Sequence, residues 1–153
     1  VAVFAGHQRA TVPVELIGSN PSRDILVEQM PPLKNWGKNA LITPFKQPRD
    51  IAPQAYDLFR VLSGYDNNKI YINGFYELTL NKGEFFEDKL LKAAHISAEF
   101  PILVSQIKST SSYDPPPGGT ARDGDPFLMI LPPIEQYMDN YLVVNAQSKE
   151  YRT

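Results

Sequence analysis

The organisation of the chain can be read from the stretch Gly124–Tyr137, whose sequence is GDPFLMILPPIEQY. In this stretch an apolar run leads into two prolines, which are followed by an apolar residue, two polar residues and an aromatic residue. The earlier segment Asp24–Trp36, DILVEQMPPLKNW, has the same pattern. We expect the double proline to end a strand in both places, because proline has no N–H to donate to a neighbouring strand.

The two segments belong to a longer internal match. A shift of 101 residues aligns residues 1–43 with residues 102–144 without a gap, and it places Asn39-Ala-Leu-Ile on Asn140-Tyr-Leu-Val. One constant offset that carries all these matches predicts a duplication. Residues 1–52 would be the C-terminal half of one β repeat and residues 53–153 a second, nearly complete repeat; the sequence leaves open whether they pack as one unit. The residues expected to have structural roles are Pro31, Pro32, Pro132, Pro133 and Tyr137.

Composition indicates an all-β chain. Of the 153 residues 14 are proline, nearly twice the usual share of about 5%, and such frequent prolines disfavour long helices. Short apolar or alternating runs bounded by turn residues predict about ten strands; Val1–Ala5 is expected to be a buried strand, and Asn73-Gly74 a hairpin turn. Glu87–His95 alone has helix-forming composition, with an irregular strand as the equal alternative. The predicted fold is an antiparallel β-sandwich built from tandem repeats of about 100 residues.

Several classes of protein and site are disfavoured. A net charge of −2 gives no basic surface for nucleic acid, and no apolar run is long enough to insert into a membrane. The chain has no cysteine, and its two histidines, His7 and His95, lack the spacing of a zinc site. No serine lies in a Gly-x-Ser-x-Gly motif. The sequence thus contains no motif that favours a zinc site or a serine–histidine pair. Because the first residue is Val1, we interpret the sequence as a piece of a longer chain.

If the chain binds a partner, the loop Ser109–Gly124 is the most attractive surface; the other interpretation, which the sequence favours slightly, is a disordered connector. It combines an aromatic ring, a rigid proline run and an arginine, which suit recognition at low entropic cost. The candidate binding residues are Tyr113, Pro116 and Arg122 in this loop, together with Trp36. Asp123 and Asp125 could provide oxygen ligands for Ca²⁺, but the pattern is more typical of a β-turn. No cofactor is therefore expected, with calcium as the open alternative.

Three further segments, taken with Gly124–Tyr137, resemble a known family. They are Leu26–Gly37 (LVEQMPPLKNWG), Phe59–Gly74 (FRVLSGYDNNKIYING) and Ile96–Gln106 (ISAEFPILVSQ). Together they are similar to the IgGFc-binding protein N-terminal domain family. The resemblance implies an extracellular or cell-surface location, a non-catalytic role and an extracellular protein or glycoprotein as partner. The absence of cysteine favours a bacterial member over the animal proteins, whose neighbouring modules are rich in cysteine.

The leading hypothesis is thus a non-enzymatic extracellular module for binding, adhesion or scaffolding. One alternative is a carbohydrate-binding module in which the aromatic rings of Trp36, Tyr65 and Tyr71 stack on sugars. Another is an accessory β domain of a secreted hydrolase. The expected partners are an extracellular protein or glycoprotein, or a glycan, with no nucleic acid and no membrane insertion.

Overall fold

A computed structural model describes residues 2–12, 23–45, 56–110 and 126–142. Within these ranges the chain forms nine β-strands and two 3-10 turns. The strands are β1 (Phe4–Ala10), β2 (Asp24–Gln29), β3 (Gly37–Ile42), β4 (Asp57–Ser63), β5 (Asn68–Ile72), β6 (Phe75–Leu80), β7 (Phe85–Leu90), β8 (Ala94–Ile107) and β9 (Leu128–Leu131). The first 3-10 turn is Leu33–Asn35 and the second is Ile134–Gln136. No helix in the described ranges has the length and apolar character needed to cross a membrane.

The all-β prediction is confirmed for the described residues. Glu87–His95, for which a helix and a strand were equal alternatives, contains the end of β7 and the start of β8, so the strand alternative is correct. The predicted Asn73-Gly74 turn joins β5 to β6, with φ of 51° and 83°. The prediction of a buried first strand is wrong, because β1 begins at Phe4 and the Phe4 side chain is 64% exposed.

Strand β8 is the centre of a seven-stranded antiparallel sheet. Along one edge of β8 lie β5, opposite its first half, and β4, opposite its second half. Along the other edge lie β3 and then β9. Strand β6 pairs with β5, and β7 pairs with β4.

One face of this sheet closes on itself. Alternate residues of β4, among them Phe59 and Val61, point to this face and are buried. They belong to a cluster to which β3, β5, β6, β7 and β8 also contribute. A single sheet can bury one face against itself only by curling, so the sheet forms a half-barrel around this core.

Strands β1 and β2 form a separate two-stranded sheet. It is attached at one corner, where Val12 and Leu26 pack against Ile107 of β8. The backbone N–H of Thr110 also donates to the carbonyl of Val12 over 2.7 Å. Leu26 points inward, whereas its neighbours Ile25 and Val27 are exposed, as expected for a strand covered on one face only.

The predicted sandwich takes a different form: one curled sheet carries a small second sheet, and the described residues do not divide into separate repeats. The reason lies in β3, which comes from residues 1–52 but pairs with β8 of residues 53–153. The division at residue 52, which lies outside the described residues, remains a prediction.

Candidate functional site

A groove of about 760 Å³ lies between the two sheets. Its floor is the outer face of the large sheet, formed by β7, β4, β8 and β9. Its roof is the inner face of the β1–β2 sheet, including His7, Leu26 and Met30. Pockets of this size are typical of ligand and peptide sites.

The floor results from strand alternation. In β4, Leu58, Arg60 and Leu62 point into the groove, because Phe59 and Val61 point to the curled core. Cross-strand partners share a face in an antiparallel sheet. Each β4 residue of the floor is therefore the middle of a row of side chains that runs from β7 across β4 to β8.

Three such rows form the floor. Leu58 lies opposite Lys89 on one side and Ile107 on the other, and Leu62 lies opposite Phe85 and Leu103. Between these two rows, Arg60 lies opposite Glu87 and Ser105. The floor thus presents a polar row flanked by two largely apolar rows.

The polar row is held by an ion pair. The Nη2 and Nε atoms of Arg60 donate to Oε2 of Glu87 over 2.6 and 3.0 Å. The Arg60 guanidinium also lies 4.5 Å from the ring centre of Phe85, within the range of a cation–π contact. Two contacts therefore fix the orientation of this cation on the groove floor.

The groove is closed at one end and open at the other. At the closed end the corner contact of Val12 and Leu26 covers Ile107. At the open end Phe85 is 55% exposed, and the Arg60 and Glu87 side chains are 43% and 32% exposed. The open end is therefore accessible to a ligand that enters along the floor.

Of the residues predicted to bind, only Trp36 lies in the described part of the chain, and it does not line the groove. Its indole N–H donates to the carbonyl of Pro31 over 3.0 Å, and its ring packs beside Gly64. Tyr113, Pro116, Arg122, Asp123 and Asp125 lie outside the described residues, and their roles remain predictions. Tyr137 is 46% exposed.

The tyrosines considered for sugar stacking lie away from the groove. Tyr65 packs on Phe100 with ring centres 5.7 Å apart. Tyr71 meets Tyr76 edge to face at 6.1 Å, and its hydroxyl lies 3.3 Å from Oε1 of Glu99. Tyr65 lies in the turn between β4 and β5, and Tyr71 lies in β5.

Prolines follow β2 and β9 as the sequence predicts. Pro32 and Pro133 have extended backbones, with φ and ψ of −63° and 151° and of −68° and 154°. Each leads directly into a 3-10 turn. No group of three or more metal-binding His, Cys, Asp or Glu side chains occurs among the residues that the structure describes.

Sequence reasoning missed the groove residues Arg60, Phe85 and Glu87. Their signal was the alternation of Phe85, Glu87 and Lys89, which is typical of a strand with one polar face. The helical composition of Glu87–His95 obscured it. The pairing of Glu87 with Arg60 could not be derived, since it depends on the register between β4 and β7.

Comparison with known proteins supports the resemblance that the sequence motifs suggested. A family model described as IgGFc binding protein matches residues 1–153, the whole chain. No curated protein and no solved structure matches it. Since the family model covers every residue of the sequence, the chain belongs to the IgGFc-binding protein family.

Proposed function

We propose that the chain is a non-catalytic binding module of a secreted or cell-surface protein, and that it holds an extended segment of a partner protein in the groove. Membership of the IgGFc-binding family supports a protein or glycoprotein as the partner. The observation that carries the proposal is the groove floor, in which the Arg60–Glu87 row lies between two largely apolar rows.

The spacing of these rows fits an extended peptide. Alternate residues of a strand lie about 6.6–6.8 Å apart, in the floor and in a bound peptide alike. A peptide that runs along β4 would therefore place its side chains i, i+2 and i+4 over the three rows. Apolar side chains at i and i+4 would pack over Leu58 and Leu62, and a charged or polar side chain at i+2 would meet Arg60 and Glu87.

Burial of the apolar rows would supply affinity, and the fixed ion pair would supply specificity. An ordered arginine beside an aromatic ring is typical of the residues that dominate protein–protein binding. The groove floor holds both, because Arg60 lies over Phe85. A protein partner is thus a better match to this floor than a glycan.

The experiment measures binding of the chain 1–153 to immunoglobulin G Fc, to purified mucin and to a panel of free glycans. We expect a protein probe to bind and Phe85→Ala to weaken binding about tenfold or more, as loss of an aromatic anchor does. The matched control is Phe75→Ala, because Phe75 is also exposed (77%) but lies at the β5–β6 turn away from the groove.

The outcomes separate the hypotheses. Equal losses with Phe85→Ala and Phe75→Ala would contradict the groove as the site. Binding to free glycans that is abolished by Tyr71→Ala and unaffected by Phe85→Ala would favour the carbohydrate-binding alternative. Hydrolysis of a standard substrate panel by the chain would contradict the non-catalytic role.

A further inference from the structure

The strand pairs β1–β2 and β8–β9 have the same register when they are compared at the 101-residue offset. Gly6 lies opposite Val27, and Ile107 lies opposite Leu128. The neighbouring residue pairs follow the same rule: Ala5–Glu28 corresponds to Gln106–Met129, and Phe4–Gln29 corresponds to Ser105–Ile130. The sequence match therefore extends to the hydrogen-bonding register of the strands.

The equivalence continues through the two turns. In the first turn, Asn35 N–H donates to Pro32 O over 2.8 Å and Trp36 N–H to Leu33 O over 3.1 Å. In the second, Gln136 N–H donates to Pro133 O and Tyr137 N–H to Ile134 O, each over 2.9 Å. Both turns leave the chain extended, at Trp36 and at Tyr137. The two segments therefore leave their turns with the same backbone conformation.

Beyond the turns the two segments differ. After Trp36 the chain enters β3, whose Ala40 is 2% exposed because it pairs with Ile96 of β8. After Tyr137 the corresponding residues are exposed: Met138 by 63%, Tyr141 by 62% and Leu142 by 96%. A short apolar segment that is buried in its first occurrence thus lies open in its second.

The two segments differ because β3 already occupies the edge of β8 next to β9. Strand β9 occupies this edge from Ile107 to Val104, and β3 takes it over from Ile102 to Ala94. Residues that follow β9 therefore cannot continue along β8, and the second 3-10 turn packs instead against the start of β3. The segment 137–142 leaves the turn extended at Tyr137, bends at Asp139, and finds the edge of β8 already occupied.

We propose that Tyr137–Leu142 docks as an added strand on the β8 edge of another copy of the unit formed by residues 53–153, joined in tandem. On that copy the segment would pair with β8 as β3 pairs with β8 in the structure. Each unit would donate one strand to the next unit. This head-to-tail arrangement can continue along the chain because it does not close into a ring. This inference concerns a surface separate from the groove, so it stands or falls independently of the proposed function.

Two differences between the donor segments affect the design of the test. Met138 corresponds to Gly37, where a side chain would clash with Pro133 and Glu135. Tyr141 corresponds to the small residue Ala40, which faces Ile96. An exact second copy must accommodate the larger ring, and overpacking weakens such contacts. We therefore expect Tyr141→Ala and Met138→Gly, which restore the residues of β3 at these two positions, to strengthen docking on an exact copy.

The experiment uses a two-copy chain, in which residues 1–153 are followed directly by a second copy of residues 53–153. This fusion continues the 101-residue spacing. Hydrogen exchange of the amides of Asn140–Leu142 is compared with that in the chain 1–153. We expect protection to increase by about tenfold or more in the two-copy chain, and by more with Tyr141→Ala, since pairing in a sheet protects amides.

A disulfide tests the register in the same two-copy chain, which has no native cysteine. Tyr141→Cys should cross-link to Ile96→Cys of the added copy, as Ala40→Cys should to Ile96→Cys in the chain 1–153. Leu142→Cys, combined with Ile96→Cys of the added copy, is the control for a strand register shifted by one residue. Unchanged exchange at Asn140–Leu142 while β4 of the added copy is protected would overturn the proposal, as would cross-linking by Leu142→Cys alone.

A second measurement does not depend on folding of the added copy. In the chain 1–153, Ala40→Asp should loosen β3 and lower the Tm, and a peptide of residues 36–45 should restore it. The proposal predicts that a peptide of residues 137–145 with Met138→Gly and Tyr141→Ala also restores it, whereas a scrambled peptide does not. A rise in Tm with the 36–45 peptide alone would overturn the proposal.

Discussion

Asn68 shows how a single buried side chain can hold a turn in place. Its side chain is fully buried, and its Nδ2 donates to Ser63 Oγ over 3.1 Å and to the carbonyl of Phe100 over 3.0 Å. Its Oδ1 accepts from the N–H of Phe100 over 2.8 Å. The amide therefore joins the turn between β4 and β5 to the middle of β8. The sequence indicates a turn here but not this tertiary role, since Asp, Asn and Gly favour turns wherever they occur.

We expect Asn68→Ala to lower the free energy of unfolding by about 1–3 kcal/mol, because it removes the partner of two partly buried backbone groups of Phe100. Urea denaturation of the chain 1–153 measures the change. Asn35→Ala is the control, since the Asn35 side chain is exposed, and it should change stability by less than about 0.5 kcal/mol. Equal effects of the two variants would contradict the tertiary role of Asn68.

Glu135 links the second 3-10 turn to β3. Its Oε1 accepts from Nδ2 of Asn39 over 2.8 Å and from the N–H of Lys38 over 3.0 Å. Partial burial by itself would raise the pKa of Glu135, but the hydrogen bonds from Asn39 and from backbone N–H groups outweigh it and hold this pKa below its usual range. The ionised carboxylate therefore stabilises the folded state.

The lowered pKa predicts a pH dependence. The contribution of Glu135 is fully present above the usual glutamate pKa of about 4.3 and is lost as the pH falls through the lower pKa of the folded state. We therefore expect the Tm of the native chain to exceed that of Glu135→Gln at pH 7, and the difference to shrink below about pH 4. Glu77→Gln, on an exposed part of β6, is the control. A difference that grows as the pH falls would contradict the assignment.

At the level of elements, the β5–β6 hairpin follows directly from local sequence. Asn73 and Gly74 both have positive φ, as a two-residue turn between twisted strands requires. A Cβ at Gly74 would meet no atom within 4 Å. Substitution there therefore tests backbone conformation alone.

We expect Gly74→Ala to destabilise the chain by about 1 kcal/mol, the cost of a side chain in the left-handed region. Chemical denaturation would measure it, with Phe75→Ala as a neighbouring control whose exposed ring contributes little. A stabilising effect of Gly74→Ala would show that the turn does not require positive φ at this position.

Strand β8 contains a feature that the local sequence could not predict. β8 runs without a break from Ala94 through Pro101 to Ile107. The proline is tolerated where β4 gives way to β5 along one edge of β8 and the β3 register shifts between Gly37 and Asn39 on the other. Proline in a central strand requires such an irregularity, and it depends on partners far away in the sequence.

At the level of the whole molecule, the all-β class and the family could be predicted from composition and motifs, but the groove could not. Its floor depends on which residues of β4, β7 and β8 lie side by side, and only the register determines that. The internal match at 101 residues was visible in the sequence. The pairing of β3 with β8, a strand of residues 53–153, could not be predicted, because a sequence repeat does not determine which strands pair.

The central claim is that the groove floor recognises an extended peptide through Arg60 and the apolar rows beside it. Selection of a displayed library of linear peptides on the chain 1–153 tests it most directly, followed by binding to two charge-reversal variants. Arg60→Glu changes the groove, whereas Lys69→Glu makes the same change in another exposed ion pair, Lys69–Glu99, whose residues do not line the groove.

We predict that the selected peptides carry apolar residues at i and i+4 with a charged or polar residue at i+2. They should lose about tenfold or more in affinity on Arg60→Glu, because the reversed charge would lie beside Glu87 on the floor, and should bind Lys69→Glu as they bind the native chain. Peptides without this pattern that bind the native chain and Arg60→Glu equally well would contradict the claim.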